Sequence, residues 1–216
     1  MSETGAARHR LHWLPNALTV SRILLIPVLV WGIILTLYTP RWGWGGKDVG
    51  FDHMPYVLGL FILCALTDFL DGYFARKWGV TSDFGRMLDP IADKLLVSGC
   101  LIAICFALFG GIAWLLPATL IILFRDISIS GLREHAALEN IVMAPTKLAK
   151  WKTAFEMLAI FLFLTAMTLS NDFSFDKVQN ATFEYGVFIA ATATLWLAAI
   201  LSAYTGFHYF RSAMRK

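Results

Sequence analysis

Apolar stretches long enough to cross a bilayer recur along this chain, and nothing else in the sequence restricts its folding as strongly. A helix needs roughly 17 to 25 such residues to span about 30 Å of hydrocarbon. Six stretches qualify, near residues 18–37, 54–74, 88–109, 112–132, 153–169 and 185–207. They take up nearly all of the 216 residues and leave no room for a separate soluble domain. The expected fold is therefore an all-α integral membrane protein, a single domain over 1–216 with six transmembrane helices. Composition agrees: 58% of residues are hydrophobic, against about 45–50% apolar in soluble domains, and the mean hydropathy is +0.65.

A basic segment, Arg8, His9 and Arg10, precedes the first stretch. A signal peptide is disfavoured because the apolar run is long and no small-residue cleavage site follows it. Residues 10–16, with His12, Trp13, Leu14 and Pro15, read as a short interfacial segment, the alternative being a disordered tail. Cys64, Cys100 and Cys105 all fall inside expected spans, form no C-x-x-C pair and read as small buried apolar residues. Asn180-Ala181-Thr182 is a glycosylation sequon only in a lumenal eukaryotic loop.

Basic residues alternate in density from one connection to the next. Arg8 and Arg10 precede span one, Arg76, Lys77 and Arg86 lie between spans two and three, Arg133, Lys147, Lys150 and Lys152 between four and five, and Arg211, Arg215 and Lys216 end the chain. The other connections hold only Arg41, Lys47 and Lys177. By the positive-inside rule both termini face the cytoplasm, as an even number of spans requires. The stretch 39–51, with Pro40, four glycines, Trp42 and Trp44, reads as an irregular external loop with an interfacial aromatic anchor.

Chemistry concentrates at the cytoplasmic ends of spans two and three, where Asp68, Asp71, Asp89 and Asp93 occur. On a helix Asp68 and Asp71 share a face, as do Asp89 and Asp93. Antiparallel packing of the two spans brings both pairs into one pocket. Carboxylates so close raise one another's pKa unless compensated. Divalent cations offer that compensation, and oxygen-only ligation suits hard ions such as Mg²⁺ or Mn²⁺, which complete their shells with substrate phosphates. Gly72 and Gly85 sit beside the acidic faces and permit close approach of either a helix or a ligand. Arg76, one turn after Gly72, is placed to meet a phosphate or to act as a positive-inside anchor. Pro90, between the last two aspartates, marks either a helix start or a kink.

These residues spell D-x2-D-G-x2-A-R-x8-G-x3-D-x3-D, matched by Asp68, Asp71, Gly72, Ala75, Arg76, Gly85, Asp89 and Asp93. The pattern resembles the signature of the CDP-alcohol phosphotransferases, a family of six-helix membrane enzymes. The resemblance implies two divalent ions, Mg²⁺ or Mn²⁺, held by Asp68, Asp71, Asp89 and Asp93, with Asp93 as general base. It implies CDP contacts at Asp68, Gly72, Ala75, Arg76 and Gly85. Asn16, Thr19 and Arg22 resemble the N-x2-T-x2-R opening of the family's first helix, near the nucleotide. It also implies a homodimer, and no nucleic-acid partner is expected.

Acceptor choice is read from a second, cationic group. Arg125 lies within the fourth span, where an unpaired charge costs a few kcal/mol, so it needs a partner or an anionic ligand. The neighbouring Asp126 points about 100° away around the helix and is a doubtful partner. Arg133 returns to a similar face, and Lys150 and Lys152 precede span five. Arg125, Arg133, Lys150 and Lys152 are thus the expected cradle for a phosphorylated acceptor. The run from Arg125 to Glu134, Lys150-Trp151-Lys152-Thr153 and Asp89-Pro90-Ile91-Ala92-Asp93-Lys94 resemble the bacterial phosphatidylglycerophosphate synthases, with Ala149 in place of their usual glycine. The implied substrates are CDP-diacylglycerol and sn-glycerol 3-phosphate, handled at the cytoplasmic face of a bacterial inner membrane. Ser202-Ala203-Tyr204 through His208-Tyr209 resembles the CDP-type cardiolipin synthases, the rival reading. A divalent-cation transporter is the reading from another class, disfavoured because transporter sites sit near the bilayer midplane.

Carboxylates being the only hard ligands grouped in this sequence, phosphatidyl transfer is expected to require added divalent metal and to be lost in Asp68→Ala and Asp89→Ala. Full turnover in excess chelator would contradict the metal site.

Overall fold

The computed structural model describes residues 14–36, 53–78, 83–108, 114–139, 147–169 and 182–214. Within these, the side chains at 14–16, 69, 71–78, 83–84, 86, 137, 147, 149, 182 and 212–214 lie outside the description. The described residues form six α-helices and no strand: α1 Leu14–Leu35, α2 Met54–Trp78, α3 Asp83–Ala107, α4 Leu115–Leu138, α5 Lys147–Leu169 and α6 Thr182–Met214. Of the expected interfacial segment 10–16, residues 14–16 belong to α1, while residues 10–13 and the external loop at 39–51 lie outside the described residues.

Five of these helices carry an apolar stretch long enough to cross a membrane: Ala17–Leu35, Met87–Ala107, Leu115–Ala136, Lys150–Leu169 and Phe183–Arg211. α2 has the length, at 25 residues, and among its described side chains it is apolar over Met54–Asp68. α4, α5 and α6 run beyond the apolar stretches 112–132, 153–169 and 185–207 read from the sequence. α4 continues past Arg133 to Leu138, α5 begins at Lys147, and α6 extends for 33 residues. Backbone hydrogen bonding does not stop where hydrophobicity stops, so these extensions carry charged residues on helical turns. Pro90, left open between helix start and kink, falls inside α3. The proline has no N–H to give the carbonyl one turn earlier, near the site the aspartates build.

Contacts at both ends show that successive helices run antiparallel. At one end His53 bonds the Gly32 carbonyl, Cys105 meets Thr119, and Phe163 packs edge-on against Phe188 at 5.6 Å. At the other, Thr19 bonds Asp89 and Lys94 reaches Ser130. α5 packs most extensively on α6, and α1 on α3 and α2.

Lipid is as apolar as the protein core, so burial alone cannot hold such helices together, and close packing has to. The buried core runs through Leu29, Ile33, Leu96, Ile104, Ile122, Ile160, Phe163 and Leu195. Leu24, Trp31, Phe124, Ile127, Ile200 and Phe207 stay exposed, as suits a lipid-facing surface. Small residues allow the close approaches: Ala159, Ala191, Ala198 and Ala199 are buried where α5 meets α6. A Cβ on Gly32 would stand 2.8 Å from a methyl of Val57, and one on Gly99 would stand 3.0 Å from a methyl of Val30. The hydroxyls of Thr165, Thr168 and Thr192 bond carbonyls four residues back, so they need no water.

Gly32→Leu is therefore expected to push α1 from α2 and lower the thermal midpoint in detergent, by an amount typical of overpacking, about 1–3 kcal/mol. Gly59→Leu, where an added Cβ meets nothing within 4 Å, is the control expected to leave the midpoint unchanged.

Candidate active site

The buried charged side chains among the described residues, Arg22 on α1 and Lys152 and Glu156 on α5, belong to the same end of the bundle, where the partly buried Asp68, Asp93, Arg125 and Asp126 also lie at the end of α2, the start of α3 and the middle of α4. α1 acts there as a bracket. Thr19 and Arg22 lie one turn apart on its inner face and both are almost completely buried. Thr19 donates to Asp89 Oδ1 at 2.8 Å, and Arg22 makes an ion pair with Asp68. One aspartate from each signature helix is thus held by the same short piece of α1. Asp93, half-buried one turn beyond Asp89, is within electrostatic reach of Asp68 and Arg22 and also of Lys152 and Asp126.

Beyond Asp93 lies a chain of alternating charges shared by α4, α5 and α6. Arg125 Nη1 donates to Asp126 Oδ1 at 3.0 Å. Lys152 Nζ donates to both Asp126 oxygens at 2.5 and 2.6 Å and pairs with Glu156 Oε1 at 2.7 Å. α6 closes the ring: Ser202 donates to Glu156 at 3.4 Å, and Thr205 accepts from Arg125 Nη2 at 3.0 Å. Gly206 makes room for this, since a Cβ there would stand 2.9 Å from Arg125 Cγ. Farther along α4, the Arg133 guanidinium lies 5.7 Å from the ring centre of Tyr209, a cation–π distance.

The structure corrects one expectation. Asp126 is a partner of Arg125, because a long arginine side chain curls across the angle that separates adjacent residues on a helix. It is also the hub that joins Arg125 to Lys152. Of the four expected acceptor cations, Arg125 and Lys152 are brought together, Arg133 lies on α4 over Tyr209, and Lys150 is exposed. Lys150 and Lys152 are two residues apart and so face opposite sides of α5. Among the expected CDP contacts, Asp68, Thr19 and the buried Gly85 belong to the described end of the bundle. Asn16, Asp71, Gly72, Ala75 and Arg76 lie on α1 and α2, with side chains outside the described residues.

Among the described residues no three His, Cys, Asp or Glu side chains are drawn together tightly enough to hold a metal ion. The donor set still suits a hard cation, since Asp68, Asp89 and Asp93 offer only carboxylate oxygens. Glu156, Ser202 and Thr205 were missed by sequence reading. The signal for Glu156 was available: a lysine and a glutamate four apart on an apolar helix form a ready pair.

Asp126→Asn removes the counter-charge shared by the buried Lys152 and the partly buried Arg125. Breaking a buried pair in this way costs about 3–5 kcal/mol, so the detergent-solubilised protein is expected to melt well below wild type. Lys150→Ala, at the exposed position, should melt with wild type.

A family model for CDP-alcohol phosphatidyltransferases matches residues 12–204. Among curated proteins, the CDP-diacylglycerol–glycerol-3-phosphate 3-phosphatidyltransferase of Rickettsia bellii is 39% identical, covering 94% of this chain and 96% of its own. The protein of the same name from Cereibacter sphaeroides is 36% identical over 94% of this chain and 97% of its own. That of Bacillus subtilis is 35% identical over 91% and 93%. With the family model matched over most of its length and its signature aspartates gathered at one end of a helical bundle, the chain belongs to the CDP-alcohol phosphatidyltransferase family.

Proposed function

We infer that this protein transfers the phosphatidyl group of CDP-diacylglycerol to sn-glycerol 3-phosphate, yielding phosphatidylglycerophosphate and CMP. The observation that carries this reading is that Asp93 lies within electrostatic reach both of the signature aspartate Asp68 and of Lys152 and Asp126 in the cation-bearing network. A transferase that joins an anionic donor to an anionic acceptor needs this arrangement. The relatives named for the same reaction support it.

In the proposed mechanism a hydroxyl of the acceptor attacks the phosphatidyl phosphorus. The new P–O bond forms as the bond to CMP breaks, and Asp93 takes the hydroxyl proton. Asp68, Asp71, Asp89 and Asp93 are the residues that would hold Mg²⁺ or Mn²⁺. That metal would supply neutralisation of the pyrophosphate and of the departing CMP. Thr19 and Arg22 hold Asp89 and Asp68 in place before substrate arrives, so less ordering remains for the encounter itself.

On the acceptor side, Arg125, Arg133 and Lys152 are proposed to receive the phosphate, Lys150 facing the opposite side of α5. Nε of Arg125 and Nε of Arg133 are both buried, with no hydrogen-bond partner among the described residues, as suits groups reserved for an anion. Lys152 contributes mainly charge, because its donors are engaged within the protein. The Lys/Arg distribution supports an active site on the cytoplasmic face, and the bacterial relatives support an inner-membrane location. We propose a homodimer, as the family resemblance implies.

The test is CMP release by purified protein given CDP-diacylglycerol and, in turn, glycerol 3-phosphate, glycerol, inositol phosphate, serine and phosphatidylglycerol. Glycerol 3-phosphate is expected to be used at least tenfold more efficiently than any other. Preference for phosphatidylglycerol would make the protein a cardiolipin synthase instead.

A further inference from the structure

An ammonium group has three hydrogens to donate, and in Lys152 all three have a carboxylate oxygen within reach: Asp126 Oδ1, Asp126 Oδ2 and Glu156 Oε1. The two carboxylates play different parts. Asp126 comes from α4 and is already shared with Arg125. Glu156 comes from the helix that bears Lys152, one turn deeper, with 1% of its surface exposed. One turn further along the same face of α5, Ala159 and Ile160 are completely buried apolar residues. Glu156 is thus the inner wall of the polar network, and no step assigned above uses it.

A carboxylate at that depth is costly and persists only if something holds it. Lys152 and Ser202 do so. In return Glu156 fixes Lys152. Two bonds to one carboxylate leave an ammonium on a four-carbon stem free to swing, whereas a third bond from the opposite side sets its place. Without it, Lys152 is left with an unsatisfied buried donor and turns towards the other carboxylate that feels its charge, Asp93. That movement withdraws charge from the acceptor side and alters the share of Asp126 left for Arg125.

We propose that Glu156 is a positioning residue for acceptor binding: its carboxylate fixes Lys152 against Asp126, and so sets where Arg125 and Lys152 present their charge to the acceptor phosphate. The idea rests on the acceptor reading above and goes beyond it, since Glu156 touches neither substrate. Position and net charge make opposite forecasts. If only summed charge mattered, removing a negative group would improve binding of an anionic acceptor. If position matters, binding worsens.

The experiment measures KM for glycerol 3-phosphate and for CDP-diacylglycerol in Glu156→Gln, Glu156→Asp and Ser202→Ala, with the thermal midpoint of each. Glu156→Gln is expected to raise the acceptor KM at least fivefold and leave the donor KM within twofold, and Glu156→Asp to recover part of the loss. Ser202→Ala, a small change that keeps both charges, should shift the acceptor KM in the same direction by about twofold and keeps the test available should Glu156→Gln not fold. In a Lys152→Met background the effect of Glu156→Gln should vanish. An unchanged or lowered acceptor KM, or a parallel rise in both KM values, overturns the proposal and leaves Glu156 a packing or charge-balancing group. Wild type run against the acceptor panel separates the two ideas. If another alcohol is its substrate, the acceptor reading fails, and the same comparison of KM values for that alcohol decides the role of Glu156.

Discussion

Hydrocarbon offers neither water nor counter-ions, so an ionised side chain at depth has to find its opposite on the chain itself. Much of this bundle's polar end follows from that demand. Arg22, with 1% of its surface exposed, is tied to Asp68; Lys152 is tied to Asp126 and Glu156; Arg125 is tied to Asp126 and Thr205. The ties from Arg22 to Asp68, from Lys152 to Asp126 and from Arg125 to Thr205 join helices that apolar packing alone would let slide or rotate. Pairs of this kind add little net stability against a hydrophobic alternative, but they are directional. The same groups that neutralise one another also fix the register of α1 on α2, of α4 on α5, and of both on α6.

This register serves the chemistry. Asp68 and Asp89 belong to different helices, yet both are gripped by α1, so their separation is set by one rigid turn rather than by the segment joining α2 to α3. Asp93 stands where this acidic assembly meets the ring of Arg125, Asp126, Lys152 and Glu156. A proton acceptor there, as proposed for Asp93, would have both substrates' anionic groups nearby, with cations to offset them.

What the sequence made legible was whatever is local. The apolar stretches located the helices because length in hydrocarbon is a property of each segment by itself. The aspartate signature was legible because its spacing is short enough for helix geometry to fix the faces. The ring was not, because Glu156, Ser202 and Thr205 acquire meaning only when α5 and α6 are laid on α4, and no spacing encodes that. The misjudged pair is instructive in another way. Reading Arg125 and Asp126 by the angle between their Cα–Cβ bonds ignored the length of an arginine side chain, which bends back around the helix to reach its neighbour. Helical extensions past the apolar stretches were also missed, since hydropathy reports where lipid ends and says nothing of where hydrogen bonding does.

The arrangement of these pairs bears on how the protein is made. Membrane helices enter the bilayer before they assemble with one another, so a helix carrying a lone charge would face the hydrocarbon without its eventual partner. Here α4 brings Arg125 and Asp126 side by side, and α5 brings Lys152 and Glu156 one turn apart. In each of these two segments the charge that will face the other helix already has an opposite charge beside it before the two meet. Assembly then becomes an exchange in which Asp126 accepts a second cation as Lys152 arrives, and no bare charge has to wait in lipid. Arg22 has its counter-charge on α2 instead, which makes the first two helices the pair that must come together early during synthesis.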